Sequence, residues 1–206
     1  MKQLAVFVSG RGSNFRTVHK GIQAGEIPAT VTLVVSDKPQ CPAADYARGH
    51  GIEVVHYPSP DITPDNLKHH LKDRDIDLIL LAGYLKMVPA EVVQSFPRAI
   101  LNIHPALLPA FGGKGYYGHR VHEEVIASGA KVSGVSIHFV DEEYDHGPIV
   151  AQLVVPVHHD DTPDSLAERV LSFEHQLYPK VVGALCRGEI YWRDDGVPYI
   201  DPPIVL

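Results

Sequence analysis

The first hundred residues alternate between short apolar runs and segments with helical spacing. LAVFVS (4–9), VTLVVS (31–36), IEVVHY (52–57), LILLAG (78–83) and AILNIH (99–104) are largely continuous apolar runs, the mark of strands covered on both faces. Between them lie helix-like segments. One runs from the glycine turn through Ala24, and PAADYARGHG (42–51) ends on a glycine stop. DNLKHHLKDRD (65–75) is polar, and PAEVVQSF (89–96) starts on a proline suited to a first helical position. This repetition predicts an α/β fold: a single-domain, Rossmann-like, mostly parallel sheet with helices on both faces.

After Pro105 the pattern changes. A glycine-rich loop, PAFGGKGYYG (109–118), leads into a helix at 119–129. VSGVSIHFV (132–140) and GPIVAQLVVPV (147–157), joined by a short acidic turn, predict an antiparallel hairpin added to the parallel sheet. Residues 163–185 carry apolar positions at helical spacing and form the longest helix candidate. The aromatic stretch at 188–203 reads as a terminal hairpin or tail packed on the sheet. No repeat or linker divides the chain, so one domain over 1–190 with a tail at 191–206 is expected.

Composition narrows the classes. With 206 residues the chain can bury one sizeable core. A formal net charge of −7 disfavours nucleic acid as a partner. Cys41 and Cys186 are too few for a disulfide framework and lack metal-ligand spacing, which favours a reducing cytoplasm. The N-terminal apolar run is broken by glycines too early for a secretory signal, and nothing approaches the ~20 apolar residues of a membrane span. Among the 13 histidines, His119/His122 and His158/His159 lack a third ligand at zinc-type spacing. No metal is expected, and these four read as surface or loop residues.

Two stretches carry chemistry. SGRGSN (9–14) falls between the first strand and first helix, where backbone N–H groups and a positive helix end face an anion. It reads as a phosphate turn, as a dinucleotide loop with Asp37 after the second strand, or as a helix capped by Ser13 or Asn14. Phe15 occupies the place of the third dinucleotide glycine. LNIHPALLP (101–109) ends a buried strand on Asn102 and His104, whose spacing of two puts them on one face. An amide N–H and a protonated imidazole there can converge on one developing oxyanion, with a carboxylate to orient the imidazole and favour its charge. Asp141, Glu142, Glu143 and Asp145 in the acidic turn are the candidates.

Together SGRGSN, LAGYLKMV, LNIHPALLP, SGVSIHFV, YDHGPIVAQ and FEHQLYP resemble, in order and over about 4–190, the phosphoribosylglycinamide formyltransferases, folate-dependent enzymes of purine synthesis. The resemblance implies the formyltransferase fold and formyl transfer from 10-formyltetrahydrofolate to the amine of the glycinamide ribonucleotide. It implies Asn102, His104 and Asp145 as the catalytic trio, with Asn102 and His104 stabilising the oxyanion and Asp145 holding His104 and helping a proton move. Gly12, Ser13 and Asn14 match the family's phosphate turn, and Glu174 its ribose contact. Leu85, Lys86, Met87 and Val88 match the stretch lining the folate pocket. Asn102 and the loop Asp141, Glu142, Glu143, Tyr144 and Asp145 match its other side. His146 stands where glycine is usual, and Lys86 where arginine is common.

The expected partners are therefore small molecules, without nucleic acid or membrane, for a monomer or homodimer. Two other readings stand beside transfer: a 10-formyltetrahydrofolate hydrolase, in which water replaces the amine, and a non-catalytic nucleotide-binding module using residues 9–14.

Overall fold

Strands form where the sequence is continuously apolar and helices where punctuation interrupts it, in a computed structural model that describes residues 1–205. The chain divides into two compact units, Met1–Leu101 and a second that begins at Asn102. Hydrogen bonding joins seven strands into one sheet in the order β3-β2-β1-β4-β5-β6-β7.

The first unit contains β1 (Lys2–Val8), α1 (Ser13–Gln23), β2 (Ala29–Ser36), α2 (Pro42–Gly49), β3 (Glu53–His56), α3 (Pro64–Lys72), β4 (Leu78–Leu81) and α4 (Ala90–Ser95). β1 pairs in parallel with both β2 and β4, and β2 with β3. Leu4 to Val8 and Leu33 to Val35 are all buried, as strands covered on both faces must be. Pro89 is the N-cap of α4 rather than its first residue, because the helix begins one position later than the motif suggests.

Strand β5 (Ile100–His104) leads into the second unit, which holds α5 (His119–Ala127), β6 (Val132–Phe139), β7 (Ile149–Pro156) and α6 (Pro163–Arg187). β6 and β7 form the expected antiparallel hairpin. Nearly all of β6 is buried, whereas β7 at the sheet end alternates and buries Val155. α6 starts with a reciprocal capping box between Thr162 and Ser165 and stops at Gly188, whose φ of 75° suits glycine. Its core stripe, Leu166, Val170, Leu177 and Val181, follows helical spacing. β8 (Ile190–Trp192) and β9 (Pro198–Ile200) pair as a separate hairpin, and the Trp192 ring lies 4.9 Å from that of Phe139.

Phe15 shows why the third dinucleotide glycine is missing. Its ring is fully buried and meets Tyr46 edge-on at 5.4 Å, so the space between helix and sheet is filled by an aromatic side chain. Phe15→Ala should lower unfolding free energy by about 3–5 kcal/mol in urea titration, as large-to-small changes in a packed core do.

Candidate active site

β5 sends Asn102 and His104 to one face, since side chains two apart on a strand point the same way. The turn after β6 returns Asp145 to them. Its φ of 54° lies in the left-handed region, which aspartate tolerates better than most residues. The turn closes tightly beyond it: a Cβ on Gly147 would stand 2.0 Å from the Phe139 carbonyl oxygen. The structure thus brings the three expected residues together from positions far apart in sequence.

Asn102 Nδ2 donates to Asp145 Oδ1 at 3.2 Å, and Asp145 Oδ2 stands 3.5 Å from His104 Nδ1. Asp145 Oδ2 also accepts the Gly113 N–H at 3.0 Å. The His104 side chain is 4% exposed and that of Asp145 10%. His104 Nε2 donates to the Phe111 carbonyl at 2.8 Å, which leaves Nδ1 facing the carboxylate. The amide orientation of Asn102 follows from charge. Turned over, its oxygen would face the Asp145 carboxylate.

A fourth side chain enters that sequence reasoning assigned no role. His138 on β6 is buried, and its Nδ1–H donates to the Phe139 carbonyl (2.8 Å). Its Nε2 then accepts the second Asn102 hydrogen at 3.0 Å, and lies 3.5 Å from Asp145 Oδ1. The sequence signal was the alternation that puts Ser136 and His138 on one face of β6. The Phe111 carbonyl and Gly113 N–H are main-chain groups with no side-chain signature at all.

Burial is the largest influence on both partners of the central pair, and it has opposite outcomes. For Asp145 it favours the neutral acid, but His138, His104 and the Gly113 N–H together outweigh it and hold the carboxyl below its ordinary range. For His104 burial wins. Asp145 and the Phe111 carbonyl favour the charged ring, His138 opposes it, and the imidazole stays below its usual value. Burial thus works against the protonated His104 expected beside a developing oxyanion.

The remaining predicted residues fall in their own surroundings. Gly12 is the N-cap of α1 at φ 69°, and the cap makes no side-chain hydrogen bond. The alternative reading of Ser13 or Asn14 as the cap is thereby corrected: Ser13 is the first helical residue and Asn14 is buried in the first turn. A Cβ at position 12 would lie 2.5 Å from Ala43 Cβ, so glycine is required twice over. Leu85 N–H donates to Ser9 Oγ at 2.9 Å, which ties the 85–88 segment to that glycine turn. Leu85, Lys86 and Met87 are exposed, whereas Val88 is buried. Glu174 is buried on α6, and its charge helps raise the fully buried Tyr178 phenol one turn on. In the acidic turn Asp141 accepts the Glu143 N–H (2.9 Å) and pairs with His146 (2.7 Å). Glu142, Glu143 and Tyr144 are exposed.

A buried anion, an oriented amide and an imidazole held in one set have the chemistry to stabilise a carbonyl on which charge develops. Residues 2–182 match the formyl transferase family, and the chain belongs to it. Among its relatives, the chloroplastic phosphoribosylglycinamide formyltransferase of Arabidopsis thaliana is 55% identical over 205 residues, covering 97% of this chain and 70% of that protein. The phosphoribosylglycinamide formyltransferase of Bacillus subtilis is 34% identical, over 90% of this chain and 95% of its own. The crystal structure of the Anaplasma phagocytophilum enzyme of the same name superposes with a TM-score of 0.89 at 32% identity, covering 100% of this chain and 97% of that one.

His122 departs from the surface position expected of it. It is buried on α5, its Nδ1 has no partner, and burial, with His119 and His104 adding, pushes its pKa down to about 4. The unfolded imidazole takes up its proton near pH ~6.5, so this contribution to stability is complete above that pH and is lost as pH falls toward about 4. Urea denaturation between these limits should show His122→Leu losing less stability than wild type, by an amount on the order of 2 kcal/mol.

Proposed function

We propose that the chain transfers the formyl group of 10-formyltetrahydrofolate to the amine of the glycinamide ribonucleotide in purine biosynthesis. The observation that carries this reading is the joining of Asn102, His104 and Asp145 in one buried hydrogen-bonded set. Family membership and relatives named for this activity support it.

The neutral amine attacks the formyl carbon directly. Its lone pair forms the new C–N bond, and the carbonyl electrons move onto oxygen. Asn102 turns an N–H from Asp145 or His138 toward that oxygen. The growing negative charge raises the proton affinity of His104, whose Nδ1 receives the proton that Asp145 relays from the attacking nitrogen on its way to folate N10. Asp145, ionised and beside both groups, takes the proton from the attacking nitrogen. That proton passes to folate N10, the C–N10 bond breaks, and the formylated amine and tetrahydrofolate leave.

Binding fixes the reactants at near-attack distance. Gly12, Ser13 and Asn14 take the phosphate at the uncapped start of α1. Glu174 takes the ribose. Leu85 to Val88 and Asp141 to Asp145, with Asn102, hold the folate, and the exposed apolar Leu85 and Met87 suit a pterin ring. We take 1–190 as the working domain and 191–206 as its tail. Both cysteines are free and buried, and among the described residues no helix is long and apolar enough to cross a membrane. These features support a reducing aqueous compartment such as the cytoplasm.

Purified protein given both substrates should release tetrahydrofolate, and an amine-free control should release none. Release without the amine would identify a hydrolase instead. Asp145→Asn removes the anion that organises the site and should lower kcat by about 10²–10³-fold, as loss of a transition-state contact does. Turnover near wild type would remove Asp145 from the reaction.

A further inference from the structure

Gln152 on β7 stands directly opposite Ser136 on β6, and neither side chain enters the chemistry above. Both grip the chain just beyond His104. Ser136 Oγ donates to the Ala106 carbonyl (2.7 Å) and accepts the Leu108 N–H (2.9 Å). Gln152 Nε2 donates one hydrogen to Ser136 Oγ (2.9 Å) and the other to the Leu108 carbonyl (3.0 Å).

The donor and acceptor count closes. The single hydroxyl hydrogen of Ser136 goes to Ala106, so both lone pairs are left for Leu108 and Gln152. The gripped segment lies between Pro105 and Pro109, neither of which offers an N–H. The Leu107 side chain is set against Gly134, where an added Cβ would come within 2.5 Å of it. Just past Pro109 the same stretch supplies the Phe111 carbonyl to His104 and the Gly113 N–H to Asp145.

We infer that Gln152 is a positioning residue for formyl transfer: with Ser136 it clamps residues 106–108 so that the Phe111 carbonyl holds the His104 ring in register with Asp145. This rests on the proposed reaction. An amide is suited to the task because one nitrogen must serve two acceptors at once. The titratable groups facing His104 are Asp145 beyond β6, His138 on β6 and His122 on α5, and the clamp touches none of them.

The test uses Gln152→Met and Gln152→Val, which delete both donors without adding charge. Each should lower kcat about tenfold with KM for either substrate within about twofold, as small misplacements of a reacting group do. A slackened Phe111 carbonyl favours the charged ring less, so the His104 imidazole resonance in the ligand-free protein should titrate at lower pH than in wild type. The same shift should appear in the pH profile of kcat. Wild-type kcat in both variants, a kcat loss with the His104 titration unmoved, or unfolding of both would overturn the inference. The titration needs no substrate, so a wild-type protein that transfers no formyl group would defeat the proposed function while this measurement still decides the clamp.

Discussion

A carboxylate taken almost wholly out of water must be met by the positive ends of dipoles, and Asp145 collects them from two other stretches of chain. The Gly113 N–H comes from the glycine loop and the Asn102 amide hydrogen from β5. Left without them, a buried charge of this kind would take up a proton or destabilise the fold by several kcal/mol. The demand of that single anion sets the rotation of the Asn102 amide, while the Phe111 carbonyl sets the rotation of the His104 ring. It also accounts for a non-glycine residue accepting a left-handed backbone: aspartate meets the turn and the charge requirement together.

The same interactions hold the polar groups of the site to one another. Both hydrogens of the Asn102 amide are already engaged, one by His138 and one by Asp145. His104 is held toward neutrality by burial although its partner is an anion. An oxyanion growing beside these groups changes both balances, because it competes for an amide hydrogen and adds negative charge next to the imidazole. In the proposed transfer, stabilisation then appears in the transition state rather than before it, which is the condition for raising kcat rather than merely tightening binding.

Much of this was legible in the chain itself. The five apolar runs are strands, the hairpin follows Pro105, and the spacing of Asn102 and His104 gave their common face directly. What the sequence could not carry was set by tertiary contact. The cap of α1 is Gly12 because the close approach of Ala43 leaves no room for a side chain, and no local pattern announces Ala43. His122 reads as a surface residue beside His119, yet packing against the rest of its unit buries it. His138 lay in a motif whose alternation was visible, but its value depends on the carboxamide and carboxylate that it meets from elsewhere. The resting charge balance of His104 was not legible for a related reason. A neighbouring acid can be guessed from sequence, whereas the depth of burial that opposes it is known only once the chain has folded.

A division of labour follows from where these groups reside. Every residue assigned to the reacting centre belongs to the unit that begins at Asn102, and its hydrogen bonds close within that unit. The glycine turn and the 85–88 segment belong to the other unit, where the Leu85 N–H joins them through Ser9. Residues that grip remote parts of a substrate can vary in strength without disturbing the atoms that react, provided they deliver it at the right distance. The buried anion, by contrast, allows little variation, because each of its partners is also part of the packing that keeps water away. Substitutions at the exposed Leu85, Lys86 and Met87 therefore disturb the fold less than those at any group within hydrogen-bond distance of Asp145.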